Sequence, residues 1–216
     1  MKLPVVVHQA RLGTAEFRVI RPARPLRHAL LTDQDRYLDL RVDEAAARTV
    51  AGLWLLAARS PRSLVHLPLR TARPEAQAPD AERGLDLVLL HHSLQFAPAR
   101  WKRLRAGLGP GRPQTADLPE ASRDADTEPV DYTARHHREN RDLFQEHLHA
   151  ETLFMTGSAK LFRATARLFL DVAHEGPAHP AHLADRHYCA SLHSNAGVLG
   201  NARELHVEYQ PHHEAA

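Results

Sequence analysis

Apolar and polar positions alternate over most of the first 42 residues. Leu3 to Leu12 carries Val5, Val6 and Val7, and Gly13 with Thr14 marks a turn. Glu16 to Arg21 alternates again, with Phe17 and Val19 on one side. After breaks at Pro22 and Pro25, His28 to Thr32 and Tyr37 to Val42 read as two further short strands. The second puts Leu38, Leu40 and Val42 on one side and Asp39 and Arg41 on the other, a period of two that implies one wet face. The period then changes. Asp43 has the chemistry of a helix N-cap, because its carboxylate can accept from the free amides of a first turn. Val50, Leu53, Trp54 and Ala57 follow at spacings of three and four, and Pro61 closes the helix after Ser60.

Ser63 to Leu69 predicts a strand, with Pro68 placing it at an edge or marking its end. Residues 71–83 are Pro, Ala and charge, the composition of a loop. Leu85 to His91 is the strongest strand: Leu87 to Leu90 is unbroken apolar, as in a central strand buried on both faces. Pro98 opens a short helix through Trp101, Leu104 and Leu108, and Gly109, Pro110 and Gly111 stop it. Residues 109–130 read as a linker rich in Pro, Asp and Gly. From Asp131 to Glu175 apolar residues recur at helical spacing, predicting a long helix kinked near Gly157 and Ser158. Arg186 to His193 and Glu204 to Gln210 predict a β-hairpin, and the tail from Pro211 a frayed end. The expectation is an α+β fold with one core: a mixed or antiparallel sheet with a long helix packed across it. Residues 1–108 supply its N-terminal α/β part, 109–130 a linker, and 131–216 the helix and hairpin that complete the same domain.

Composition narrows the class. The chain has 216 residues, 43% hydrophobic and 25% charged, ordinary globular usage. Of its 28 basic residues only Lys2, Lys102 and Lys160 are lysine, a bias typical of high-GC bacterial genomes. The formal net charge is +2 and the 26 acids are interspersed, which disfavours nucleic acid as a partner. Cys189 is the sole cysteine, so no intrachain disulfide forms, and no stretch has the apolar length of a membrane span. With an N-terminal apolar run too short for a signal peptide, the expected compartment is the cytoplasm. Gly-x-Gly-x-x-Gly, the Walker phosphate loop, His-Glu-x-x-His and Gly-x-Ser-x-Gly are all absent, against nucleotide-dependent enzymes, zincins and serine hydrolases. No cofactor is expected.

Histidine is the unusual resource, with 17 copies. His91, His92 and Ser93 follow the central strand, where ligand sites of open α/β sheets form. An imidazole there titrates near neutral pH and can act as acid or base. The pair is similar to the His-His pair of carrier-dependent acyltransferases. Their motif continues with an Asp four residues after the second His and then Gly; Phe96 and Ala97 stand there, so the likeness ends at the pair. On the terminal hairpin, His187, Cys189, Ser191 and His193 share one side, and His206 and Glu208 share one side of the partner strand. If those sides coincide, ligating and proton-transferring groups converge, with Cys189 and His193 as catalytic candidates. A spacing of two is not a recognised zinc pattern, and no metal is expected.

Two further patterns are weaker. On the predicted long helix, His136, Asn140, Leu143, His147 and Glu151 form a stripe, and Glu146 with His149 makes one copy of a Glu-x-x-His, of which di-iron bundles need two. Around Trp101, Arg100, Lys102 and Arg103 are candidate substrate-binding groups that could also dock an acidic carrier or partner protein. The functional expectation is a small cofactor-free metabolic enzyme using histidine acid–base chemistry, for dehydration, isomerisation, cyclisation or acyl transfer on a small, carrier-compatible substrate. The alternative is a non-catalytic accessory subunit, and oligomerisation is open to either. Protonating all the histidines would add 17 charges to the +2, which makes pH-dependent association a third idea.

Overall fold

In a computed structural model of the chain, which describes residues 1–70, 84–121, 131–179 and 187–211, the alternating N-terminal pattern becomes four strands. These are β1 (Lys2–Leu12), β2 (Ala15–Pro22), β3 (Ala29–Asp33) and β4 (Tyr37–Val42). Helix α1 (Glu44–Arg59) starts where Asp43 accepts from the Ala46 amide at 2.7 Å. Then come β5 (Ser63–Leu67), β6 (Asp86–His91), α2 (Trp101–Ala106), β7 (Arg112–Asp117) and α3 (Tyr132–His136). The chain continues with β8 (Gln145–His149), β9 (Thr152–Gly157), α4 (Ala159–Glu175), β10 (Cys189–Leu192) and β11 (Glu204–Tyr209).

The strands form two sheets. A seven-stranded mixed sheet runs β7-β1-β2-β5-β6-β9-β8, and a four-stranded sheet runs β10-β11-β4-β3. In β6, Leu87 and Leu89 join a large core shared with both helices and the inner face of the smaller sheet, including Leu38, Leu40, Leu205 and Val207. Val88 and Leu90 point the other way, into a second cluster roofed by Trp101 and Leu104 of α2. Helix α1 packs on α4, and Trp54 lies at their contact, fully buried against Phe144, Phe162 and Phe169. Its indole N–H donates to Thr165 Oγ1 at 2.8 Å, which satisfies the one polar atom that so large a buried ring carries. The fold is α+β, with a long helix on the strands, as the pattern of periods predicts.

Three local readings are corrected. Residues 145–157 are not helical: β8 and β9 form an antiparallel hairpin, with Gln145 opposite Thr156 and His149 opposite Thr152. Ala150 and Glu151 link them with φ of 44° and 61°, the left-handed backbone a tight hairpin needs. The helix proper begins at Ala159, where Ser158 accepts from the Leu161 amide at 3.1 Å. Part of the 109–130 linker is ordered as β7, an edge strand on β1. β5 lies inside the sheet between β2 and β6, so Pro68 marks its end and not an edge. The loop read at 71–83, the rest of the linker at 122–130, Arg186 and the tail from 212 lie outside the described residues.

Candidate functional site

β6 and β9 run parallel and finish together, His91 beside Gly157. Beyond β6 the chain turns tightly through His92–Leu94, and His91 caps that turn. Its Nδ1 accepts from the Ser93 amide at 3.2 Å and from the Ser93 hydroxyl at 2.8 Å. The His91 and His92 rings lie 4.2 Å apart. Partial burial, then the neighbouring His92, hold the His91 imidazole below the ordinary histidine range, while Asp142 pulls weakly the other way. His91 is thus a neutral acceptor that fixes the turn, and His92 projects beyond it, exposed.

Two open clefts meet at His92. One, of about 400 Å³, is lined by His92, Arg141, Asp142, Gln145, Thr156 and Ser158, together with Leu143. The other, of about 420 Å³, has His92, Gln95, Phe96, Gln145, His147 and Thr156 on its walls. Shared by both are His92, Gln145 and Thr156, so the imidazole stands on the ridge between them. The volumes fall within the range of small-ligand sites. Gly157 lets this corner close, because a Cβ there would come within 2.6 Å of the Phe144 ring.

The basic residues around Trp101 are elsewhere. Arg100 donates to the Leu12 carbonyl at 3.2 Å and lies over the Phe17 ring at 5.4 Å. Lys102 and Arg103 are exposed on α2. None of the three lines either cleft; the cationic side chain that does is Arg141.

The second histidine group lies on the outer face of the four-stranded sheet. In the β10–β11 pairing Cys189 is opposite Glu208 and Ser191 opposite His206, so the His/Cys and His/Glu sides coincide. β4 adds Asp39 beside His206. Ligand atoms of His187, Cys189 and His206 lie within 4.8 Å of one another, as do those of Asp39, His206 and Glu208. His206 Nδ1 is 3.0 Å from Ser191 Oγ. Burial, then the Glu208 charge, push the Cys189 thiol above its usual range, which disfavours the thiolate a nucleophile needs. Burial also raises Asp39, although Arg41 opposes it. His193 stands apart: it lies beyond β10, and its Nδ1 is 3.6 Å from Glu204. Residues of β10 and β11 are not among those lining the two clefts, so the two histidine groups are separate.

The sequence reading missed a third group. His66 and Asp86, 2% and 3% exposed, lie beneath α2, where the His66 ring meets Trp101 at 4.9 Å. Arg21 donates to His66 Nδ1 at 2.9 Å, and His66 Nε2 faces Asp86 at 3.8 Å. Burial holds His66 below the usual range against the pull of Asp86. Burial alone would raise Asp86, but His66 and the Arg70 amide more than offset it and hold the carboxyl below its usual range. The alternating apolar context of both residues hid them, since a polar residue at a core position gives no periodic signal of its own.

The predicted helical stripe dissolves with the helix. Glu146 instead takes Arg203 from the main-chain amide at 2.8 Å and from the guanidinium at 2.6 Å, while the same guanidinium reaches Asp33 at 2.5 Å. That clamp joins the larger sheet to the smaller one. No helix among the described residues is long and apolar enough to cross a membrane. No family model, curated protein or solved structure matches the chain.

Proposed function

We propose that the paired clefts at the ends of β6 and β9 bind a small anionic substrate, and that His92 transfers protons to and from it without a cofactor. The carrying observation is the position of His92 on the ridge common to both clefts. A group there reaches a molecule in either cleft. His91, held neutral with Nδ1 turned to Ser93, would act as a positioning residue for the turn that presents His92. Arg141 supplies the positive charge for a carboxylate or phosphate, and Gln145 and Thr156 supply neutral hydrogen-bonding groups. Proton transfer of this kind fits dehydration, isomerisation or cyclisation; acyl transfer would use His92 as the base for an incoming nucleophile.

Solvent-exchange NMR tests the reading without knowledge of the physiological substrate. A panel of small oxo, hydroxy and thioester acids is incubated in deuterated buffer, and deuterium entering the carbon adjacent to a carbonyl is followed. The native protein should exchange at least one class. His92→Ala should slow that exchange by about 10² to 10⁴-fold, the usual contribution of a general acid or base. Its stability should change by under about 0.5 kcal/mol, because the side chain is exposed. Exchange undiminished in His92→Ala removes the assignment. Failure of every compound to exchange or to shift the His92 resonances would favour the accessory-subunit reading.

A further inference from the structure

We infer that the outer face of the four-stranded sheet is a binding site for one transition-metal ion of the zinc class, held by His187, Cys189 and His206 and completed by a carboxylate from Asp39 or Glu208. The site does not depend on the strand-end clefts. Four features carry it.

The first is convergence. Strand register alone brings these groups together: Cys189 pairs with Glu208, Ser191 with His206, and His206 with Asp39. His187 precedes Cys189 by two and so falls on the same side. The ligand atoms of His187, Cys189 and His206 already lie within 4.8 Å of one another. Tetrahedral bonds of about 2.0–2.3 Å put ligand atoms roughly 3.3–3.8 Å apart. About 1 Å of closure is needed, and both His187 and Cys189 are exposed and free to turn inward.

The second is the orientation of His206. Ser191 Oγ sits 3.0 Å from its Nδ1. With Nδ1–H donated to that hydroxyl, the lone pair is left on Nε2. Metal-bound histidines use this outer-shell arrangement, which fixes tautomer and ring plane together.

The third is Asp39. It is only 3% exposed, yet its Oδ1 has no hydrogen-bond partner among the described residues. Its other oxygen is 2.9 Å from Arg41 Nε. A buried carboxylate oxygen without a partner is costly, and a cation satisfies it. Asp39, His206 and Glu208 form the second convergent set, and the two sets share His206.

The fourth is donor chemistry. A thiolate with two imidazoles selects zinc, cobalt, nickel or copper over magnesium or calcium. One thiolate and one carboxylate also balance a divalent charge.

The test uses the full chain, freed of metal with a chelator and titrated with Co²⁺ and then Zn²⁺. One equivalent of Co²⁺ should bind with the intense visible bands of tetrahedral cobalt and a near-ultraviolet thiolate-to-metal charge-transfer band, and Zn²⁺ should displace it. Alkylation of Cys189, the chain's only cysteine, should slow at saturating Zn²⁺. Cys189→Ser should abolish the charge-transfer band. Cys189→Ser and His206→Ala should each weaken Zn²⁺ binding by more than Ser191→Ala, for which about tenfold is expected from the loss of an outer-shell partner. Asp39→Asn and Glu208→Gln identify the fourth ligand, and His149→Ala should bind as the native chain does. A cobalt complex without the charge-transfer band, alkylation unchanged by Zn²⁺, or equal affinity in Cys189→Ser would each overturn the proposal. The spectrum and the alkylation rate are read on the native chain, so the outcome does not depend on any variant folding.

Discussion

Two histidine groups of one chain are built in opposite ways. His91 and His92 sit where two parallel strands end, and their chemistry comes from concavity: the chain turns away, β9 and α4 form the far wall, and a cleft is left. His187 and His206 sit on the flat outer face of a sheet, and their chemistry comes from register: side chains two apart, on strands in fixed alignment, converge without any cavity. At a strand end neighbouring groups are available to a substrate. On a sheet face they are available chiefly to one another, which suits an ion better than an organic molecule. The contrast also explains why Ser93 and Ser191 have similar tasks in different settings. Each takes a ring nitrogen, one to hold a turn and the other to orient a ligand.

The two regions share one foundation, and the largest expected effect tests it. The α1–α4 contact lies in the core that joins both sheets, with Trp54 at its centre. Trp54→Ala should cost about 3–5 kcal/mol in urea denaturation, by cavity formation and by leaving Thr165 without its donor. Histidine resonances of both groups should be lost in the same transition. Two separate transitions would show that the sheets stand independently, and the comparison would then be one between domains.

A smaller effect concerns the clamp between the sheets. Glu146 and Asp33 hold Arg203 above the ordinary arginine range, although burial alone would lower it. Arg203→Ala removes both ion pairs and should cost about 1–2 kcal/mol, discounted because the group is partly solvated. Resonances of Gln145 in the cleft and of His206 on the sheet face should both shift. A shift confined to one of them would separate the regions that the clamp is taken to connect.

The smallest effect sets both exposed groups against buried His66. Its pKa is lowered in the folded protein, so the unfolded chain binds the extra proton first as pH falls. The contribution is therefore complete well above pH 6.5 and declines below it, by up to about 1.4 kcal/mol per pH unit for one proton. Asp86 has the same sign further down: its depressed pKa lends stability above the ordinary carboxylate range that is lost as pH falls through the folded value. Urea midpoints measured from pH 7.5 to 5.5 should fall, and His66→Gln should flatten the decline. An equally steep decline in that variant would assign the effect to the exposed histidines.

Much of the fold was legible because period and punctuation agreed. β4 with α1 is the clear case: alternation ends at Val42, Asp43 caps, and the spacing changes to three and four. The β8–β9 hairpin was not legible. Its two-residue turn is Ala150–Glu151, neither of the residues that usually announce left-handed backbone, and Phe144, Leu148 and Met155 happen to fit a helical spacing. β7 was hidden for a similar reason. An edge strand with no fully buried side chain has no apolar alternation to show, and it is held by its main-chain pairing with β1.

By itself the sequence determined the local preferences: which segments alternate, where helices are capped, and that β6 is buried on both faces. It also placed His92 just past that strand and put His187 and Cys189 on one side of another. Only the tertiary structure decided what those residues meet. Arg141, Gln145 and Thr156 reach His92 because a hairpin stands where a helix was expected. Asp39 reaches His206 because β4 and β11 pair in parallel across more than 160 residues of chain. Local pattern follows from backbone and side-chain preferences within a few residues. A site is made by contacts between distant segments, and their register is set by how the whole core packs.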